Sequence, residues 1–298
     1  MLSTPILYLA YNRSDFTKQS FSCIRKIKPK KLYLAVDGPK DEKDRLEIEK
    51  VKVILTTIDW KCEVKTLYRD NNLGCGKAVS EAISWFFEHE EKGVILEDDC
   101  IPTTSFFTFC EEMLSRYEDN EQVMHIAGSS FIDTKTDHSY VYSTYSLIWG
   151  WATWRSAWKR YSFKNTNLRI IDQHNQLSDS EKLFFKDKAI SVRTIDTWDY
   201  QWQLSIWKHN GVCIIPNQNL VSNIGFDERA SHTIDPLSLN AFKPTVELRP
   251  IKHPERVSIN RKYDKLLFDT YHREKGTIIR QLKNKLIKWF PSIYRLMK

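Results

Sequence analysis

The sequence predicts an α/β fold: a mostly parallel sheet flanked by helices, Rossmann-like in its alternation, with an amphipathic helical tail at the C-terminus. Two observations carry this. Apolar, strand-like runs alternate with charged runs of helical period through the first hundred residues. The starts of the apolar runs fall roughly 30 residues apart, the length of a βαβ unit.

The elements follow in order. Residues 5–10, 31–36, 63–68 and 93–96 read as strands. Val79, Ala82, Ile83, Phe86 and Phe87 form one apolar stripe at helical spacing, which predicts a helix over 76–90. Residues 41–57 are polar on most faces and predict a surface helix. After Cys100 the rhythm changes: 105–117 is helical in pattern, while 122–127 and 139–146 are strand-like. Residues 149–158 are rich in tryptophan, and the polar stretch 162–180 reads as loop. A helix is expected over 197–209 with Thr197 as its N-cap, then a strand over 211–216 and a loop over 221–233. The organisation expected is one domain over 1–240 with halves 1–127 and 128–240, an extension over 241–276, and a basic tail over 277–298.

Composition narrows the function. The 298 residues are 41% apolar and 28% charged, with 9 Gly and 10 Pro, which excludes disordered and collagen-like chains. No apolar run reaches the ~18 residues that cross a bilayer. The N-terminal residues read as a first strand, not a signal peptide. The net charge is +7, yet Arg280, Lys283, Lys285, Lys288, Arg295 and Lys298 lie in a tail without acids. The body is thus near neutral, and no nucleic-acid surface is expected. Six cysteines without a C-x-x-C pair read as reduced cytosolic thiols, not zinc ligands or disulfides. In the tail, Ile278, Ile279, Leu282, Leu286, Trp289 and Phe290 share one stripe between lysines. Such a helix suits an anionic membrane surface, which predicts a cytoplasmic protein peripheral on the inner face of the cell membrane.

Several groups could do chemistry. Glu97, Asp98 and Asp99 directly follow an apolar strand, at the sheet edge where open parallel sheets bind ligands. Crowded carboxyls raise their own pKa values unless a cation neutralises them, and a hard ion, Mg²⁺ or Mn²⁺, meets that need while leaving positions for phosphate. Asp37 ends the second strand, where it could accept from a nucleobase or ribose or simply shape an Asp-Gly-Pro turn. Gly74 and Gly76 precede a helix, with Arg69 and Lys77 beside them, a phosphate-compatible pattern that is neither a dinucleotide fingerprint nor a P-loop. Trp149, Gly150, Trp151, Trp154 and Trp158 could stack on sugar rings or pack as core. Asp199 could act as a general base or as a first-turn acid favoured by the helix dipole. His232 could be a metal or phosphate ligand, or a surface histidine.

Taken together these motifs resemble nucleotide-sugar glycosyltransferases of the GT-A fold. The resemblance rests on Tyr11-Asn12-Arg13 after the first strand, Asp37 after the second, the R-D-x-N-x-G segment from Arg69, and the V-I-L-E-D-D strand end. W-G-W-A-T-W, W-D-Y-Q-W and S-N-I-G-F…H-T resemble bacterial proteins of this kind, of a family 2-like type. The acidic motif and W-D segment are also similar to N-acetylglucosaminyltransferase I. The resemblance spans about 5–233 and implies a UDP-sugar or related donor, a saccharide or lipid-linked acceptor, and Mn²⁺ or Mg²⁺. It implies that Asp99, with His232, ligates the metal and that Glu97 or Asp98 faces the ribose and donor sugar. Asp37 would contact the base, with Tyr11, Asn12 and Arg13 near it, and Arg69, Gly74 and Lys77 would flank the nucleotide. Asp199 matches the catalytic base, with Asp196 and Asp227 as alternatives. Trp149, Gly150, Trp151, Trp154 and Trp198 would line the acceptor pocket. The acidic motif departs from the commoner D-x-D spelling. A phosphohydrolase or nucleotidyltransferase would want the same acids without the tryptophans, and a sugar-binding protein would want the reverse.

Overall fold

The computed structural model describes residues 1–132, 136–191, 195–227, 229 and 242–273. The first half is β1 (Ile6–Ala10), α1 (Ser14–Ile27), β2 (Lys31–Val36), α2 (Glu42–Leu55), β3 (Glu63–Tyr68), α3 (Cys75–His89) and β4 (Lys92–Glu97). The second half is β5 (Cys100–Pro102), α4 (Thr104–Arg116), β6 (Val123–Ala127), β7 (Tyr140–Ser143), β8 (Trp151–Trp154), α5 (Arg155–Trp158), α6 (Arg169–Gln173), α7 (Asp179–Ser191), α8 (Asp199–Lys208), β9 (Val212–Pro216), β10 (Val221–Asn223) and α9 (Arg261–Leu267).

Eight strands form one sheet in the order β3-β2-β1-β4-β8-β6-β9-β7. β3, β2, β1 and β4 run parallel, and β9 runs parallel to β6. β8 enters antiparallel to both β4 and β6, and β7 closes the edge antiparallel to β9. The mostly parallel sheet expected from the alternation is therefore present. The chain moves outward from β1 to β3, then returns to place β4 on the other side of β1, with Ile6 opposite both Leu32 and Val94. The carboxyl ends of β1 and β4 flank this switch point, the place where open parallel sheets bind ligands.

Both faces are buried, which is why β2 and β4 are nearly continuous apolar runs. Tyr8, Leu32, Leu34, Val94 and Leu96 pack toward Phe21, Val51 and Phe106 of the helices on one face. Leu7, Leu9, Tyr33, Ala35 and Ile95 alternate onto the other face, against Ala82, Ile83 and Phe86 of α3. A third cluster joins Val141 and Ile215 to Phe185 of α7 and Trp207 of α8.

Several expectations need correcting. Residues 151–154 form a strand at the centre of the sheet, where neighbours on both sides favour β structure regardless of local pattern. Part of the 221–233 stretch read as loop pairs antiparallel with β5, Val221 opposite Pro102; three residues are too few for a periodic signal. The 162–180 stretch contains α6, whose Ile170 and Ile171 are buried. Trp198, not Thr197, caps α8.

The extension runs back along the domain. Glu247 accepts from the Thr104 and Ser105 N–H groups at 3.2 and 2.8 Å, satisfying the first turn of α4. Buried Asp264 accepts from the Thr144 N–H and hydroxyl at 3.1 and 3.0 Å and pairs with Arg261 at 3.0 Å. No helix among the described residues is long and apolar enough to cross a membrane. The tail 277–298 and His232 lie outside the described residues. All six cysteines are unpaired; Cys100, Cys110 and Cys213 are buried.

Candidate active site

The acids emerge where β4 ends. Glu97 is the last strand residue, Asp98 and Asp99 form the turn, and Cys100 starts β5. Arg13, the residue before α1, brings its guanidinium across from β1. It pairs with Asp98 and lies 3.1 Å from Asp99 Oδ2. Asp98 is only 2% exposed and Arg13 15%, so the charges are largely withdrawn from water. Burial works against the charge on Arg13, but Asp98 and Asp99 outweigh it and hold its pKa above the ordinary value. Glu97 is pushed up to about 8 by burial and by the charges of Asp99, Asp98 and Asp199, against the pull of Arg13. One guanidinium thus faces three crowded carboxyls.

The turn after β10 closes over Asp99. Asn223 Nδ2 donates to Asp99 Oδ1 at 3.3 Å, and the Ile224 N–H donates to the Asp99 carbonyl at 2.9 Å. A Cβ at Gly225 would overlap Asp99 Oδ2, so any larger residue there would have to displace that carboxylate. Further on, Arg229 donates to both carboxylate oxygens of Asp15 at 2.8 and 2.9 Å and covers the Phe16 ring, centroid distance 4.5 Å.

At the mouth of β1, Tyr11 and Asn12 turn toward α2. The Tyr11 hydroxyl donates to Asp44 Oδ2, and Asn12 Nδ2 donates to Asp44 Oδ1 at 2.6 Å. Asp37 accepts from the N–H groups of Gly38, Leu73 and Gly74 and from Asn72 Nδ2, at 2.9–3.2 Å. Its carboxylate thereby holds the turn that precedes α3, as the turn reading of Asp-Gly-Pro allows. Arg69 donates to the Ala78 carbonyl at 3.1 Å and approaches Glu81 at 3.4 Å, which ties it to the first turns of α3. Lys77 is exposed, 3.7 Å from Glu81.

The glycine-rich turn is filled by the chain itself. The Gly76 N–H donates to Asp196 Oδ1 at 2.9 Å, and a Cβ at Gly74 would overlap Asp196 Oδ2. With Leu73 and Gly74 bonded to Asp37, these N–H groups serve the protein's own carboxylates. This corrects the reading of Gly74 as part of a phosphate cradle.

Asp199 starts α8 and accepts from the Thr197 hydroxyl. Its charge acts on Glu97 and, with Glu97, Asp196 and Asp99, raises the pKa of Cys75, whose largest cause is burial. The second half of the chain thus brings Asp199 close enough for its charge to reach the acids at the end of β4. Of the alternative bases, Asp196 is bonded to α3, and Asp227 pairs with Arg229 at 2.6 Å.

Three tryptophans expected to wall a pocket lie instead in the core. Trp151, Trp154 and Trp198 are 1%, 6% and 2% exposed. Trp151 stacks on Trp198 at 5.6 Å and on His125 at 5.0 Å, so its faces are taken. The core reading holds for these because two sheet faces and α8 need large fillers. Trp149 is different: it is half-buried, edge-on to Phe131 at 4.8 Å and Phe226 at 5.6 Å. Gly150 has φ +63°, and a Cβ there would press on Val221 of β10.

Pattern reading singles out neither Asp44 nor the Asn223–Asp99 contact, and it does not see Asp196 as an anchor. Asp44 is one acid among many on a helix whose pattern is polar on most faces. Asn223 and Gly225 stand in the S-N-I-G-F motif that carries part of the resemblance, so their motif, though not their partners, was visible.

The donor set fits a hard divalent ion. Asp98 Oδ2 is buried without a hydrogen-bond partner, and Asp99 has unused acceptor capacity beside a single guanidinium. Among the described residues no three His, Cys, Asp or Glu side chains converge as a ready cage. An ion held through one or two carboxylates and completed by ligand phosphate and water needs no such cage.

No family model and no curated protein matches the sequence. Solved structures align only distantly. HddC from Yersinia pseudotuberculosis aligns at 10% identity and TM-score 0.28, over 47% of this chain and 59% of its own length. UDP-glucose pyrophosphorylase complexed with UDP-glucose aligns at 7% identity and TM-score 0.36, over 71% and 90%. Mouse xyloside xylosyltransferase 1, apo form, aligns at 11% identity and TM-score 0.33, over 68% and 80%.

Proposed function

We propose that the chain is a metal-dependent glycosyltransferase. It takes a sugar from a nucleoside-diphosphate donor, a UDP-sugar in the first instance, and passes it to a saccharide or lipid-linked acceptor in surface-glycan synthesis. The observation that carries this reading is the acidic run Glu97–Asp99 at the switch point, with Asp199 at the start of α8 near enough for its charge to act on Glu97.

Asp199 takes the proton of the acceptor hydroxyl as the hydroxyl oxygen attacks the anomeric carbon. The bond from that carbon to the diphosphate breaks, and the diphosphate leaves with the electron pair. One base and direct displacement invert the anomeric centre. Asp99 would hold the metal, with His232 as a second ligand, and the bound metal supplies positive charge for the leaving diphosphate. Asp98 holds Arg13 in place between β1 and β4, and Glu97 faces the donor ribose and sugar. Trp149 offers an aromatic face toward the acceptor. The basic tail brings the enzyme to anionic lipid, where lipid-linked acceptors reside.

The test is a donor panel of UDP-, GDP- and CMP-sugars with saccharide acceptors, following nucleotide release and the anomeric configuration of the product. Acceptor-dependent release of a nucleoside diphosphate with inversion supports the assignment. Acceptor-independent cleavage of the donor would make the chain a phosphohydrolase instead. Flotation with anionic liposomes, with and without residues 277–298, tests the tail.

A further inference from the structure

We infer that Asp196 is a positioning residue for Asp199, seating the start of α8 on the start of α3; this rests on the assignment of Asp199 as base. Three observations converge. The Asp196 carboxylate bonds the Gly76 N–H at 2.9 Å, across 120 residues of sequence. The seat is shaped for it: a Cβ on Gly74 would overlap Asp196 Oδ2, and one on Gly76 would come within 2.8 Å of both Asp196 Oδ1 and the Thr197 carbonyl oxygen. The next residue, Thr197, donates its hydroxyl to Asp199.

The seat is itself held from the far side. Asp37, at the end of β2, bonds the Leu73 and Gly74 N–H groups at 3.1 and 3.2 Å. Two carboxylates therefore grip one glycine turn, and a short path runs from the sheet through Gly76, Asp196 and Thr197 to Asp199. Gln201 Nε2 adds a bond to the Thr197 carbonyl at 3.0 Å, and the Tyr161 hydroxyl donates to the Trp198 carbonyl at 3.3 Å. The residues just before Asp199 are thus fixed, Asp196 to α3 and Trp198 to Tyr161, while Gln201 closes the first turn of α8 on Thr197. Asp196 itself is exposed while its bond reaches the buried Gly76 N–H, so the carboxylate ties a surface residue to the start of α3, and its consequence is the placement of the base. A displacement of about 1 Å at a reacting group can cost on the order of 100-fold in rate.

The experiment compares wild type with Asp196→Ala, Asp196→Asn and Gly76→Ala. It measures kcat, donor KM, and amide hydrogen exchange over residues 195–203. Asp196→Ala should lower kcat by roughly 10- to 100-fold with donor KM within about twofold of wild type. Asp196→Asn keeps an oxygen for the Gly76 N–H and should restore kcat to within about threefold. Gly76→Ala attacks the seat from the other side and should reproduce the alanine variant. Exchange over 195–203 should quicken in both damaging variants and not in Asp196→Asn. Unchanged kcat and exchange in Asp196→Ala would overturn the inference, as would a rise in donor KM that accounts for the whole loss. If wild type transfers no sugar, the transferase reading fails, and exchange alone still decides whether Asp196 holds the segment bearing Asp199.

Discussion

Gly225 lies so close to Asp99 that a Cβ on it would overlap the Asp99 carboxylate. The second residue after β10 thereby governs where an acid after β4 can sit. Gly225→Ala should push that carboxylate aside while leaving the sheet intact. The expected outcome is at least about tenfold weaker metal-dependent nucleotide binding, the scale of one lost charged hydrogen bond or ligand contact. Circular dichroism should stay unchanged. Titration calorimetry checks the binding, and wild-type affinity would show that Asp99 needs no such placement.

Arg13 is the cation shared by Asp98 and Asp99. Removing it leaves Asp98 buried and unpaired, which typically costs about 3–5 kcal/mol, whereas replacing a whole buried pair costs far less. Arg13→Met should therefore destabilise strongly, and Arg13→Met with Asp98→Leu should recover much of the loss. Urea unfolding of the single and double variants measures this.

Asp199→Asn preserves shape and an acceptor oxygen for Thr197 but abolishes the base. A fall in kcat of roughly 100- to 10,000-fold is expected, with nucleotide binding retained. Stopped turnover without loss of UDP-dependent thermal stabilisation would fit; full activity would move the base elsewhere.

His125 sets an acid limit on stability. It is fully buried, with Nε2 3.0 Å from the Leu147 carbonyl, and Nδ1 accepts from Trp202 Nε1–H at 3.2 Å. Nε2 therefore carries the proton, and a second proton on Nδ1 would face the indole N–H. Burial pushes its pKa down to about 4. The unfolded chain binds this proton near pH ~6.5, so stability is complete above that value and falls as pH drops toward about 4. The full span is worth about 3 kcal/mol. Unfolding free energies at pH 7, 5.5 and 4.5 should decline more steeply in wild type than in His125→Phe; parallel slopes would refute the attribution.

Much of this was legible because local pattern and fold agree. Residues 31–36 and 63–68 are strands with the expected bounds, since each is a strand-like run bounded by charged segments in the repeating βα rhythm. Glu97–Asp99 stood out because acids rarely follow a buried strand without a task. Trp151, Trp154 and Trp198 misled because a tryptophan carries no local sign of whether its face meets sugar or sheet. The contacts of Asp196 with Gly76 and of Asn223 with Asp99 span 120 and 124 residues, and no spacing rule reaches across such distances. Their glycines were visible as turns, but not as seats for particular carboxylates.

The most direct measurement is calorimetric titration of UDP into wild type and Asp99→Asn, each with Mn²⁺ and with chelator, extended to GDP and CMP if UDP is silent. Nucleotide binding that needs Mn²⁺ and weakens by at least about tenfold in Asp99→Asn is the result expected of a donor site at the end of β4. Binding of no nucleotide under any condition, or binding indifferent to both Mn²⁺ and Asp99, would contradict it.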